Sequence, residues 1–349
     1  MTTALHIDLD VFAANLARVR ATVAPAEMML VVKNDAYGHG LAPIVRRAVT
    51  EGVRWFGAFD VSTGRAVRAE LGDDVRIFVW MTANAVDAAD AVAAALDIGV
   101  GDADVLEDVA AAAARAGSPA RIHLKIDTGL HRNGVRPEQW PSFVERAAEL
   151  SVTGIVDVVG VWSHIAEASD HDDDDARALF EAALKTAGEA GLTPSHRHLA
   201  ASAASFARRE FRYDLVRVGA FAYGIRSAGG PSEAELGIRL AATLRADVTV
   251  VRDGEVTIAI GAFEGIPSSL GGRVQVGTPG GPRTLLLVGD ESVVEGWPAA
   301  SVGQQVTIFG TAENEKSPTD LAEAIGSVGE EILVRLSPLV TRLYEERAG

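Results

Sequence analysis

The chain has no cysteine. This excludes disulfides and thiolate metal sites and suits a reducing compartment, so a cytoplasmic protein is expected. No apolar run approaches the roughly 20 residues of a membrane-spanning helix, so no membrane partner is expected. The opening MTTALHIDLD lacks a basic stretch followed by an apolar core, and no export signal is read there. Positive charge is also short: 32 Lys and Arg stand against 48 Asp and Glu, a net charge of −16. That argues against a nucleic-acid partner while leaving room for a local anion site. A glycine-rich dinucleotide fingerprint is missing as well, since the turn after the first long apolar run reads KNDAYGHG.

What is present is a long alternation of strand-like and helix-like segments. Short apolar runs end near Lys33, Phe59, Met81, Val100, Ile126, Ser163, Leu199 and Val218. Alanine-rich helical stretches such as Val61 to Leu71, Ala103 to Ala116 and Pro137 to Leu150 separate them. Eight such units predict an α/β fold with an N-terminal (β/α)8 TIM barrel. An open doubly wound sheet is the alternative, and the missing fingerprint disfavours it. After about Ile225 the pattern changes. Leu240 to Val251, Glu255 to Ile260, Thr284 to Val288, Gln305 to Phe309 and Ile332 to Leu336 read as strands, with one short helix over Pro318 to Ile325. At 349 residues two domains are expected. They are a barrel over 1–226 and a C-terminal, mainly β domain over 227–349.

The run Met28 to Val32 shows no alternation and reads as a strand buried on both faces. It ends on Lys33. A lysine there has its stem held in protein and its amine at the carboxyl edge of the sheet, where β/α barrels place their chemistry. A desolvated lysine can lose its proton and form a Schiff base, and the duller reading is one that reaches solvent. Lys125 with Asp127, His164, Ser202 and Arg217 lie at the ends of other predicted strands, so one rim would gather them. Ser202 and the amides of Val218-Gly219-Ala220 could hold a phosphate, as late strands of such barrels do.

Four segments carry a family resemblance: VVKNDAYGHG, LKIDTGLHRNGV, HLAASAAS and VRVGAFAYGI. Together they resemble the signature segments of the alanine racemase family, from HIDLD near the start to VTRLY near the end. The resemblance implies pyridoxal 5'-phosphate as cofactor and a small amino acid as substrate, with L- and D-alanine interconverted. It implies that Lys33 is the Schiff-base lysine and the proton carrier on one face. Tyr37, Ser202, Gly219 and Ala220 would hold the phosphate. Arg217 would meet the pyridine nitrogen, steadied by His198, and His164 would lie against the ring. Lys125, often carbamylated in the family, would orient Arg132 near the substrate. A head-to-tail homodimer is implied, each β domain completing the partner's site.

The chain departs from the family in that domain. Where the family has a segment of the type IGYADGY, this chain has IGAFEGI, with Ala262 at the position of the second proton-carrying tyrosine. Gly289, before Asp290, stands where the family has a methionine, and Glu330 stands for a tyrosine of the entry corridor. Alanine has no ionisable atom, so Ala262 cannot move a proton. Three readings follow: a racemase, a D-specific lyase or retro-aldolase acting on a β-hydroxy amino acid, and a cofactor-binding homologue with impaired catalysis. The acidic run Asp170 to Asp175 could bind a divalent cation, although such a run is more often a solvated helix start. No metal is assigned. Glu264 could replace a lost acid, and His6 and His131 read as ordinary polar residues.

Overall fold

The computed structural model describes residues 3–346 except 168 and 313. Its first strand is β1 (Ala4–Asp8). Eight strands alternating with helices follow: β2 (Glu27–Val31), β3 (Trp55–Asp60), β4 (Arg76–Met81), β5 (Asp97–Val100), β6 (Ala120–Lys125), β7 (Val156–Trp162), β8 (His196–His198) and β9 (Leu215–Val218). They pair in the order β8-β7-β6-β5-β4-β3-β2-β9, each neighbouring pair parallel. Two backbone bonds bridge the ends of that path: Asp214 N–H donates to Arg197 O and Arg217 N–H donates to Ala200 O, both at 3.2 Å. The eight predicted strands thus form the predicted parallel barrel.

The local causes are plain. The barrel strands are apolar without alternation because helices cover the sheet outside and side chains fill it inside. Met29, Trp55, Phe78, Trp162 and Leu215 form one buried cluster. Helices start where a short polar side chain satisfies free amides. Asp60 accepts from Thr63 N–H, Asn84 from Val86 and Asp87 N–H, and Asp102 from Val105 N–H. Gly160 of β7 leaves room for a neighbour, since a Cβ there would sit 2.0 Å from Nδ1 of His123.

The second sheet contains β10 (Ala242–Arg252), β11 (Glu255–Ile258), β12 (Gln275–Val276), β13 (Arg283–Val288), β14 (Ser292–Glu295), β15 (Gln305–Phe309) and β16 (Thr341–Glu345). Its order is β12-β13-β14-β11-β10-β1-β16, with β15 also on β10. The earliest strand therefore belongs to the late sheet: β1 runs antiparallel to β10 and parallel to β16. By contacts the chain divides into a β-rich unit, Met1–Arg18 with Asn34–Glu51 and Ala220–Gly349, and a barrel unit, Val19–Lys33 with Gly52–Gly219. The alternation in sequence shows a single boundary near 226, because it cannot show which sheet a lone early strand joins.

One expected strand is a helix. Ile332 to Leu336 falls mostly in the helix Gly329–Val334, whose first turn carries Glu330 and Glu331. A short apolar run does not separate strand from helix, whereas two carboxylates at a positive helix end favour the latter.

Candidate active site

Parallel pairing puts the carboxyl ends of β2 to β9 on one rim. Lys33 follows β2, Lys125 ends β6, Ser163 and His164 follow β7, Ser202 follows β8, and Arg217 lies in β9 with Gly219 just beyond. Electrostatics show how closely these groups gather. Burial pushes the His164 imidazole down to about 3, and the charges of Arg217, Arg132, Lys125 and Lys33 act in the same direction. Four cations therefore face one neutral ring.

Arg217 is buried in the barrel. Its Nη1 donates to His198 Nδ1 at 2.9 Å and to His198 O at 3.1 Å. Its Nη2 donates to Ser163 O at 2.8 Å, Leu199 O at 2.9 Å and His164 Nδ1 at 3.2 Å. Burial pushes its guanidinium down to about 9, which leaves it charged at neutral pH. A guanidinium only donates, so His198 Nδ1 must accept. Burial holds His198 well below its ordinary range, so its single proton sits on Nε2. Nε2 then donates to His123 Nδ1 at 2.9 Å. His123, equally buried and neutral, carries its own proton on Nε2, which has no partner among the described residues. A one-way chain of donors thus runs from Arg217 through His198 to His123.

Trp162 braces this chain. Its ring stacks on His198 with centroids 5.6 Å apart and planes 3° from parallel. Arg217 Cζ lies 5.1 Å and Lys125 Nζ 4.4 Å from the Trp162 ring centre, so two cations share one π face system. Lys125 Nζ also donates to Asn133 Oδ1 at 3.0 Å. Burial first, then Arg217 and Arg132, lower the Lys125 ammonium to about 8. Nearby, Asp127 stays below the usual carboxylate range despite burial, because it accepts from the His131 and Gly129 amides and the His131 ring. Asp127 and His131 thus shape the loop that carries the exposed Arg132. At the end of β9, Gly219 N–H donates to Ser202 Oγ at 3.2 Å, so the two expected phosphate ligands adjoin.

The remaining expected residues lie in the β-rich unit. Tyr37 is buried, its ring centroid 4.9 Å from that of Tyr223, and burial followed by Glu330 raises its phenol. Ala220, also buried, begins the turn after β9. Ala262 and Gly289 touch: Ala262 N–H donates to Gly289 O at 2.7 Å. Glu264 Oε2 accepts from Gly261 N–H at 2.8 Å, a role in shaping the loop. Ala262 and Asp290 are exposed, and beside Ala262 the Phe263 side chain is 76% exposed.

This unit also shows a costly backbone. Asn34, Asp35, Ala36 and Tyr37 all have positive φ, between 52° and 56°. Gly38 N–H closes on Asn34 O at 2.9 Å, an i to i+4 bond, so the segment is a turn of left-handed helix. For L-residues that conformation costs about 1–2 kcal/mol each.

Other expectations resolve simply. The acidic run opens the helix Asp170–Glu189, with Ser169 as its cap, and Arg208 pairs with Asp170 and Asp174. His6 pairs with Glu345 at 2.9 Å. His123, Trp162 and Asn133 were not singled out from sequence. A signal for His123 existed: it lies two residues before Lys125, so both point to the same face of β6.

Fold and rim together define a β/α barrel whose mouth gathers cations. Four cations around His164, with Asp127 acting on Lys125 and Glu167 on Arg217, suit a phosphate ester and a carboxylate, and the residues fit a pyridoxal-type phosphate with an amino acid. Comparison with known proteins narrows the class. The family model described as "Alanine racemase, N-terminal domain" matches residues 7–227. The alanine racemase of Beutenbergia cavernae is 34% identical, over 97% of this chain and 96% of its own. That of Salinispora tropica is 35% identical, over 98% of both chains. The solved alanine racemase from D-cycloserine-producing Streptomyces lavendulae superposes with a TM-score of 0.94 at 33% identity, covering 100% of this chain and 98% of that one. The chain belongs to the alanine racemase family.

Proposed function

We propose that the protein is a pyridoxal 5'-phosphate-dependent racemase acting at Cα of a small amino acid, with alanine the first substrate to test. The observation that carries this reading is the cationic cup at the rim, with Lys33 ending the first barrel strand. When bound, the cofactor supplies the electron sink that acidifies the Cα–H bond. Lys33 Nζ holds the cofactor and exchanges the Cα proton on one face. Ser202 Oγ, the amides of Gly219 and Ala220, and the Tyr37 hydroxyl hold the phosphate. By family likeness Arg217 would face the ring nitrogen and, staying charged, would give it no proton, which would favour only brief charge development at Cα. Arg132 takes the substrate carboxylate.

Lys125 orients Arg132. An ammonium lowered to about 8 leaves a neutral amine fraction at neutral pH, the form that reacts with carbon dioxide. Carbamylation would give Lys125 a negative charge to set against Arg132 and Arg217. In the β-rich unit Phe263, Leu287 and Leu339 expose large apolar side chains, which supports an interaction surface there; by family likeness its occupant is a second copy of the chain in a head-to-tail homodimer, and the lack of cysteine suits a cytoplasmic enzyme. The relatives are racemases over nearly the whole chain, and nothing in the structure favours the lyase reading.

The test uses pure protein with pyridoxal phosphate and each enantiomer of alanine in deuterated water. Expected are deuterium at Cα, interconversion seen by chiral chromatography, and loss of both in Lys33→Ala. Borohydride should fix the cofactor on the peptide that contains Lys33. Alanine left unlabelled in both forms, or equal labelling by Lys33→Ala, would overturn the proposal.

A further inference from the structure

The left-handed turn after Lys33 needs something to hold it, because each of its side chains crowds the next carbonyl. His39 is placed to do this. Its side chain is fully buried, and its Nδ1 lies 3.0 Å from both Ala36 O and Tyr37 O. Both are carbonyls and can only accept, so Nδ1 must carry the proton and fork one N–H between the last two residues of the turn. Nε2 is then a bare lone pair, buried and without a partner among the described residues. The ring stays neutral: burial, with Arg342 adding to it, pushes it down to about 4 although the two carbonyl bonds act the other way. Protonation would also gain no acceptor at Nε2.

The other contacts secure the exit of the turn. Tyr344 Oη donates to His39 O at 3.0 Å and Arg342 Nε donates to Gly38 O at 3.2 Å. Asp35 Oδ1 accepts from Leu41 N–H at 2.7 Å. Gly38 packs so closely on Leu333 that a Cβ would sit 2.7 Å from its carbonyl oxygen. None of these bonds reaches the carbonyls of Ala36 and Tyr37; Ala36 O also accepts from the backbone N–H of His39 at 3.1 Å, and the His39 ring reaches both.

We propose that His39 is a positioning residue: its forked Nδ1–H holds the left-handed turn and thereby sets the direction in which Lys33 and Tyr37, at the two ends of that turn, leave the backbone. The proposal rests on the reading of Lys33 as the cofactor lysine for its functional consequence. The turn itself can be tested without it.

Long-range 1H–15N NMR on protein labelled at histidine should show His39 as the Nδ1–H tautomer. Asparagine can place an amide N–H near the position of Nδ1, whereas leucine keeps the bulk and has no donor. His39→Leu should speed amide exchange at Gly38 and Gly40 at least tenfold and slow cofactor attachment at Lys33 at least tenfold. His39→Asn should recover most of both. An Nε2–H tautomer in the unaltered protein would overturn the proposal. So would a His39→Leu protein with unchanged exchange and unchanged attachment. If His39→Leu does not fold, the tautomer and the His39→Asn measurements decide. Covalent attachment that persists in Lys33→Ala would sink the reading of Lys33 and leave the exchange and tautomer results to judge His39 separately.

Discussion

Ala262 is where residue chemistry sets the sharpest expectation. Its methyl group cannot carry a proton, and its amide is committed to Gly289 O at 2.7 Å. With Lys33 serving one face, and by family likeness the D-enantiomer's face, D-alanine should exchange Cα hydrogen for deuterium at least tenfold faster than L-alanine. Net interconversion should lag behind exchange, since losing a proton carrier typically costs on the order of 10²–10⁴ in rate. Time courses followed by NMR beside chiral chromatography separate the two rates. Interconversion at an ordinary enzyme speed, on the order of 10–10³ per second, would contradict this and make Glu264 the next residue to alter. The polar residues that the structure brings to the rim were legible in sequence because each lies at or just beyond a predicted strand end with a charge or hydroxyl that a core does not require. His123 and Trp162 were not, because a histidine or tryptophan inside an apolar strand looks the same whether it only packs or also bears on Arg217.

At the level of elements, β7 shows how narrowly the barrel interior is filled. Gly160→Ala would put a methyl group 2.0 Å from His123 Nδ1, the atom that accepts from His198. Overpacking of this kind costs about 1–3 kcal/mol, and here it also breaks the donor chain to Arg217. The expected result is a lower urea midpoint together with weaker pyridoxal phosphate binding. Binding and stability both unchanged would mean that His123 moves aside freely. The eight barrel strands could be read from sequence because short, mostly apolar runs alternate with helical stretches. β1 could not be assigned to its sheet, because its partners β10 and β16 lie more than two hundred residues away and pairing over that distance leaves no local mark. The left-handed turn was equally hidden: Asn34 and Asp35 tolerate positive φ, but Ala36 and Tyr37 do so only because of what surrounds them.

For the whole molecule, three buried histidines, His39, His123 and His198, and the half-buried His164 fix the sense of the acid response. Burial lowers His39 to about 4, His164 to about 3, and His123 and His198 well below their ordinary range. An unfolded histidine takes its proton near pH 6.5, so below that pH the unfolded chain binds more protons than the folded one. Stability from these groups is complete above about pH 6.5 and is lost as pH falls towards 4. The urea midpoint should drop clearly between pH 7.5 and pH 5, and an unchanged midpoint would mean that the rings are charged in the fold. Assembly is a separate expectation. Light scattering at micromolar concentration should give a dimer, and a monomer would remove the ground for reading Ala262 as part of a shared site.

The clamp on the lysine turn also bears on time. Its donors Tyr344 and Arg342 stand 305 and 304 residues after the carbonyls they hold. A ribosome adding about 5–20 residues per second needs roughly 15–60 s to pass from one to the other. During that interval Lys33 and its turn are already made and the two bonds that secure the exit of the turn are not. A chain that has not yet reached Tyr344 therefore lacks both bonds, and the exit of the turn is secured only by residues made late in synthesis.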